Sequence, residues 1–319
     1  MIKILANDGI SQAGIDALTG KGFEVITEKV AQEDLIKSIN SENYEVLLVR
    51  SATTVRKDLI DACPHLKVVG RGGVGMDNID VDYAHEKGIN VINTPAASSS
   101  SVAELVFAHL FGMVRFLFDS NRQMPMSGDA DFKSLKKSYA NGRELAGKTL
   151  GIIGFGRIGQ EVAKRAIGLG MKVMAHDKFI DEANITLDFF NGDKKSFTIE
   201  TESLKKVLNN SDFITLHVPK IGDKAVIGAE EIGMMKTGAG IVNAARGGVI
   251  DETALMFALD KEKLAYAGLD VFDNEPNPSI HICMHNAISL TPHIGAATLE
   301  AQDRIGTELA DQIATHFSK

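Results

Sequence analysis

Three side chains suited to moving a proton off a hydroxyl stand just beyond three apolar runs. Arg246 follows GIVNA and is backed by Gly247 and Gly248. Glu275 lies in DNEP, shortly after YAGLDV, a run that itself contains Asp270. His293 follows AISLTP. Oxidation of a secondary alcohol needs a base for the hydroxyl proton, and an imidazole titrates near neutrality and returns that proton in the reverse direction. A neighbouring carboxylate orients the ring and stabilises its protonated form. A guanidinium grips a substrate carboxylate through two parallel hydrogen bonds and polarises the adjacent carbonyl. Each residue alone has an ordinary structural reading: a hydrogen-bonded strand-end histidine, an exposed glutamate before a proline, an arginine capping a helix. Together they carry a functional expectation because of what precedes them.

What precedes them is GIIGFGRIG, residues 151–159. Gly154, Gly156 and Gly159 follow the strand-like LGIIG and open the helix-like RIGQEVAKRAIGLG, with Arg157 and Ile158 inside the loop. Such a loop allows a tight turn, close approach of a pyrophosphate and close helix–strand packing, and the helix start offers free N–H groups to phosphates. The next apolar run, MKVMAHD, ends in Asp177. An acid about 20 residues after the loop is the expected partner of ribose hydroxyls and favours NAD over NADP, although Lys178 follows at once. An earlier string, GRGGVG at Gly70–Gly75, fails this test, because its following strand NVIN ends in Asn93 rather than an acid. It reads as a close backbone turn presenting Arg71, for packing or for substrate.

These residues need a scaffold that brings strand ends together. The runs IKILA, FEVIT, EVLLV, LKVVG and NVIN, then LGIIG, KVMAH, FITLH, GIVNA, YAGLDV and AISLT, alternate with polar stretches of helical spacing. Short, continuously apolar runs suit strands buried on both faces, so the expectation is an α/β protein with parallel sheets, whose ligands sit beyond the carboxyl ends of the strands. Ser101 and Glu104 have capping-box spacing, which predicts a long helix starting there. The polar segment Asn121–Gly147 reads as a mobile or partner-contacting loop. Asn191-Gly192 between two alternating runs predicts a surface hairpin without a catalytic role. The last segment, with Ile305, Leu309, Ile313 and Phe317 four residues apart, predicts an amphipathic helix.

Composition narrows the class. The 319 residues suggest two domains, 44% are hydrophobic and 24% charged, and the net charge of −8 argues against a general nucleic-acid or membrane-surface binder. The start MIKILANDGI lacks a basic region followed by an apolar run, and two cysteines are too few for a disulfide scaffold. A cytoplasmic protein is expected. His281, Cys283 and His285 form HxCxH but lack a fourth ligand, so no metal is expected.

Seven motifs make the chain resemble the D-isomer-specific 2-hydroxyacid dehydrogenases along nearly its whole length: VRSATTV, VVGRGGVGMDNID, NTPAASSSSVAEL, LGIIGFGRIGQEVA, NAARGGVIDE, GLDVFDNEP and TPHIGAAT. The resemblance implies two doubly wound parallel-sheet domains. A Rossmann NAD-binding domain (98–290) would be inserted into a flavodoxin-like substrate domain (1–97 and 291–319), with hinge closure over the cleft. It implies that Arg246, Glu275 and His293 are catalytic. Gly154, Gly156, Arg157, Ile158, Gly159, Asp177, Val218, Ala244, Asp270 and His293 would contact NAD. Arg50, Arg71, Gly72, Arg246 and, on a looser alignment, Lys137 would hold a small phosphorylated hydroxy acid. Unphosphorylated hydroxy acids are the alternative substrates, and an NADH-sensing scaffold without catalysis is the rival from another class. The helix after NTP implies a homodimer. The chain departs from the family's pattern in the Asn191-Gly192 hairpin and in Val74, where some members have a hydroxyl residue. It also stops at Lys319, without the regulatory domains of longer members, so feedback inhibition through such a domain is not expected.

Overall fold

The apolar runs form parallel strands in the computed structural model, which describes residues 1–318. The first five are β1 (Lys3–Ala6), β2 (Glu24–Ile26), β3 (Val46–Val49), β4 (Val68–Arg71) and β5 (Asn90–Asn93). They pair in the order β2-β1-β3-β4-β5, which is the flavodoxin-like order. β3 shows why its sequence, VLLV, contains no polar residue. Val46 and Leu48 face a core with Leu18, Ile305, Leu309 and Ile313, while Leu47 and Val49 face a second core with Leu35, Ile39 and Leu59. Successive side chains of a strand point to opposite faces, so a strand covered by helices on both sides is apolar throughout.

The second sheet uses β6 (Thr149–Ile153), β7 (Lys172–His176), β10 (Phe213–Leu216), β11 (Ala239–Asn243), β12 (Leu264–Leu269) and β13 (Ile288–Leu290). Its order is β13-β12-β11-β10-β6-β7, again with parallel pairing throughout. Between β7 and β10 the chain makes the antiparallel hairpin β8 (Glu182–Asp188) and β9 (Lys194–Glu200). Gly192 sits at its turn with φ +89° and donates to the Phe189 carbonyl at 2.9 Å, a left-handed position that suits glycine. Ile185 of β8 is buried, and Thr201, just past β9, bridges Ala175 of β7.

The chain divides into two compact units, Met1–Ser101 with Ala296–Lys319, and Val102–Gly295. Residues 98–101, expected from sequence in the inserted domain, fall in the first unit, and residues 291–295 fall in the second. The reason for the latter is local: the N–H groups of Ile294 and Gly295 donate to the Asp270 carboxylate, at 2.8 Å each. Among the described residues, no single helix is long and apolar enough to cross a membrane.

Two local expectations are corrected. The segment Asn121–Gly147, read as a loop, takes in the second part of the helix Leu117–Ser127 and all of the helix Phe132–Ser138. They are pinned by a 2.7 Å bond from Tyr139 to Asp119 and by the Phe116–Tyr139 ring contact, long-range features that a polar sequence does not announce. The helix expected to start at Ser101 begins at Ser99. Ser101 instead bonds the Thr298 hydroxyl at 2.8 Å, and Glu104 pairs with Arg165 at 3.0 Å, so no capping box forms.

The final helix, Leu299–Phe317, presents Ile305, Leu309 and Ile313 to the core of the first unit. Leu309 is 2% exposed. Truncation to alanine there is expected to cost about 2–5 kcal/mol. It should be measured as a lower denaturation midpoint at unchanged slope.

Candidate active site

The glycine loop is shaped for a dinucleotide. A Cβ on Gly154 would lie 2.5 Å from the His217 carbonyl oxygen and 2.8 Å from Val218, and one on Gly159 would lie 2.2 Å from the Gly154 carbonyl oxygen. Gly154 also has φ +93°. By contrast, nothing lies within 4 Å of a Cβ on Gly156, so the backbone there is open to approach. Gly156 is also the N-cap of the Arg157–Gly168 helix, and no side chain caps that helix. The residues therefore fit a pyrophosphate on the helix start, where free N–H groups and the helix dipole favour an anion. Arg157 and Ile158 are the first two residues of that helix.

Asp177 follows β7 and first serves the loop itself. Its Oδ2 accepts the Phe155 N–H at 2.6 Å, and its Oδ1 accepts those of Phe179 and Ile180. A carboxylate offers about four lone-pair positions, so Oδ2 retains one for a ribose hydroxyl. Val218 lies just past β10 beside Gly154, and Ala244 lies just past β11, buried.

The three side chains expected to move a proton follow the ends of β11, β12 and β13, which are neighbours in the sheet. His293 Nδ1 and Glu275 Oε2 are 2.7 Å apart. Because a carboxylate only accepts, Nδ1 carries the proton in this contact, and Nε2 of the neutral ring is left with a lone pair, as a base requires. The other oxygen of Glu275 accepts the Phe272 N–H at 2.9 Å, which fixes the carboxylate. Arg246 is half-buried, and its Nη1 donates to the Ala245 carbonyl at 2.7 Å. Its loop is tied by Asn243, which donates to the Arg246 carbonyl and accepts from the Ala245 N–H. A Cβ on Gly247 would lie 1.9 Å from the Phe272 carbonyl oxygen. Only glycine lets the arginine loop pass so close to the strand that leads to Glu275.

His293 has φ +55°, a left-handed conformation that costs a non-glycine residue roughly 1–2 kcal/mol. Its N–H donates to the Asp270 carbonyl at 2.8 Å, and the next two N–H groups go to the Asp270 carboxylate. Asp270 is 1% exposed. Sequence reasoning placed Asp270 near the site but missed this bracing role. It also missed Asn243 and Thr291, whose contribution lies in side-chain-to-backbone and side-chain-to-side-chain geometry that no spacing rule encodes.

The remaining candidates lie elsewhere. Arg50 and Arg71 belong to the first unit, at the carboxyl ends of the adjacent strands β3 and β4. Gly72 is beside Arg50, and Arg71 Nη1 donates to the Gly72 carbonyl at 2.8 Å. The Arg50 N–H is held by Asp8 at 2.7 Å, which sets the loop that carries its side chain. Lys137 is exposed on the Phe132–Ser138 helix. In HxCxH, His285 Nδ1 accepts the Ala287 N–H, and Nε2 lies 3.5 Å from Asp260. Among the described residues, no group of three His, Cys, Asp or Glu side chains is arranged to hold a metal.

Residues 107–295 match the model of the D-isomer-specific 2-hydroxyacid dehydrogenase NAD-binding domain. The chain is 42% identical to a hydroxypyruvate reductase of Thermotoga maritima, covering 98% of this chain and 97% of that one. It is 41% identical to a D-3-phosphoglycerate dehydrogenase of Methanocaldococcus jannaschii, covering 98% of this chain but 57% of that one. The chain thus spans little more than half the length of that longer relative. Among solved structures, an NAD+-bound 3-phosphoglycerate dehydrogenase of Entamoeba histolytica superposes with a TM-score of 0.77 at 28% identity, over 100% of this chain and 96% of that one.

Two buried histidines predict how the fold responds to acid. Burial lowers the pKa of His109, and pushes that of His217 down to about 3. His217 shares a 3.0 Å contact with Thr215, and its Nδ1 is sealed from solvent without a protein partner. Folding thus disfavours protonation of both rings, His217 most strongly, whereas in the unfolded chain they gain protons near pH 6.5. Below that value the unfolded state binds more protons, so stability falls as pH falls. Thermal melts should show a declining midpoint from pH 7 to pH 4, with a shallower decline in His217→Gln. An identical decline in that variant would show that His217 is protonated in the native protein.

Proposed function

Because this chain belongs to the D-isomer-specific 2-hydroxyacid dehydrogenases, we propose that it oxidises D-3-phosphoglycerate to 3-phosphohydroxypyruvate with NAD, the entry to L-serine synthesis. The observation that supports this substrate is the pair Arg50 and Arg71 at adjacent strand ends of the first unit, in addition to Arg246 in the second. A phosphorylated acid brings a carboxylate and a phosphate, and planar guanidinium forks match both. A small acid with a single carboxylate does not call for so many fixed cations.

The bound dinucleotide supplies the two-electron acceptor for C2 of the acid. His293 Nε2 takes the hydroxyl proton as the carbonyl forms. Glu275, 2.7 Å from Nδ1, stabilises the resulting imidazolium. Arg246 binds the carboxylate and the developing carbonyl oxygen. Arg50 and Arg71, with the backbone at Gly72, hold the phosphate and carboxylate ends, and Lys137 adds a positive charge. Asp177 receives the ribose, and Val218, Ala244 and Asp270 line the remainder of the cofactor site. The protein works in the cytoplasm as a homodimer. The Ser99–Val114 helix supplies the interface, with Phe111 exposed on it.

A second reading, reduction of hydroxypyruvate, is favoured by the relative that matches along nearly its whole length. NAD and NADP, crossed with 3-phosphoglycerate, glycerate, 3-phosphohydroxypyruvate, hydroxypyruvate and glyoxylate, separate the two. The phosphorylated pair with NAD(H) is expected to show at least about tenfold higher kcat/KM, one charged hydrogen bond being worth about 1.5–3 kcal/mol. A preference for the unphosphorylated acids would transfer the assignment to hydroxypyruvate. Arg50→Ala should lower kcat/KM for the phosphorylated acid about 10- to 100-fold and leave the unphosphorylated one near its original value.

Glu275→Gln, which keeps the bond from Phe272, should lower kcat by about 10²-fold or more. His293→Ala should abolish turnover. Full activity in His293→Ala would remove the base assignment, and no turnover by the parent on any of these acids would favour the scaffold reading.

A further inference from the structure

A chain of hydrogen bonds runs from the Ser99–Val114 helix to the backbone that carries His293. His109, in the middle of that helix, is 2% exposed. Its Nδ1 lies 2.8 Å from the Ser289 hydroxyl and its Nε2 3.0 Å from the Thr291 hydroxyl. Thr291 donates to Asp270 Oδ1 at 2.7 Å. With the ring neutral, these contacts admit one orientation. The single hydroxyl proton of Thr291 is committed to the Asp270 carboxylate, so Nε2 of His109 must donate to Thr291. A neutral ring with its proton on Nε2 accepts at Nδ1, so Ser289 must donate. Burial lowers the pKa of the ring and so favours its neutral form, opposing the pull of the Asp270 charge. Each link thus points the same way, from Ser289 through His109 and Thr291 to Asp270.

The chain ends where the site is strained. Asp270 holds three consecutive N–H groups: that of His293 through its main-chain oxygen, and those of Ile294 and Gly295 through its carboxylate. A left-handed backbone at a residue other than glycine persists only when its surroundings over-determine it. The Asp270 rotamer does so here, and Thr291 and His109 fix that rotamer. Gly268 on β12 makes room for the arrangement, since a Cβ there would lie 2.9 Å from His109 Cβ and 3.0 Å from Cγ.

We propose that His109 is a positioning residue for the reaction. Acting through Thr291 and Asp270, with Ser289 fixing its tautomer, it sets the backbone that aims His293. The inference rests on His293 being the base of the proposed dehydrogenase reaction. It adds a residue that touches neither substrate nor cofactor.

The network can be read without a variant. In protein labelled with 15N-histidine, His109 should be the Nε2–H tautomer at pH 8, where a histidine of lowered pKa is neutral. An Nδ1–H tautomer at that pH would overturn the network whatever the enzyme turns over. The positioning role is read in His109→Leu/Ser289→Val, which replaces both polar partners together and leaves no orphan between them. Its melting temperature should stay within a few degrees, KM for NAD and for the preferred acid within about twofold, and kcat should fall about tenfold, as a small misplacement of a reacting group predicts.

Thr291→Val should lower kcat to a similar extent alone and by less than about twofold when added to that pair, because groups in one network do not add. A folded double variant with kcat within twofold of the parent would overturn the proposal. If the double variant does not fold, Ser289→Ala takes its place. A loss of the single tautomer with a two- to fivefold fall in kcat at constant KM supports the role, and unchanged kcat refutes it. A parent that turns over none of the acids fails the dehydrogenase reading and with it the aiming role, while the tautomer measurement still decides the network.

Discussion

Parallel pairing is the constraint on which the second unit depends. Strands that run in one direction release their loops at one edge, and β11, β12 and β13 are neighbours at that edge. Arg246, Glu275 and His293 are far apart in sequence, yet each leaves the sheet within a few residues of a neighbouring strand end. The sheet supplies coarse placement only. Fine placement comes from single-atom contacts: the close pass of Gly247 against Phe272, the grip of Asn243 on the arginine loop, and the three amides collected by Asp270.

The coarse level was legible in the residues. Runs such as VLLV and FITL declare strands because both of their faces must be apolar, and all eleven runs fold as strands in two sheets. The glycine loop was legible for a related reason. Close approach of backbone to backbone excludes a Cβ, so the requirement is written into residue type. The Leu299–Phe317 helix followed from its four-residue periodicity.

What was not legible depends on partners distant in sequence. Ser101 has the right neighbour for a capping box, but its hydroxyl goes to Thr298, and Glu104 goes to Arg165. The Leu117–Ser127 and Phe132–Ser138 helices carry polar sequences with a proline, and their order derives from Tyr139 reaching Asp119. Asp177 reads as a ribose ligand from its spacing, yet most of its hydrogen-bonding capacity is spent on holding its own loop. His109 lies in the apolar Ser99–Val114 helix, where nothing in the neighbouring sequence marks a role for it. Its two partners lie more than 175 residues along the chain, and only the fold makes it part of the site.

The hairpin of β8 and β9 bears on how this protein behaves among its neighbours in a crowded solution. β7 ends the six-stranded sheet and would otherwise offer a row of unsatisfied amides and carbonyls to any extended peptide. The strand that closes the hairpin returns to β7, and Glu202 donates to Ala175 at 2.7 Å while its own carbonyl meets His176. The carboxyl-terminal part of that border is therefore occupied by the chain itself, an arrangement that works against edge-to-edge recruitment of foreign strands there.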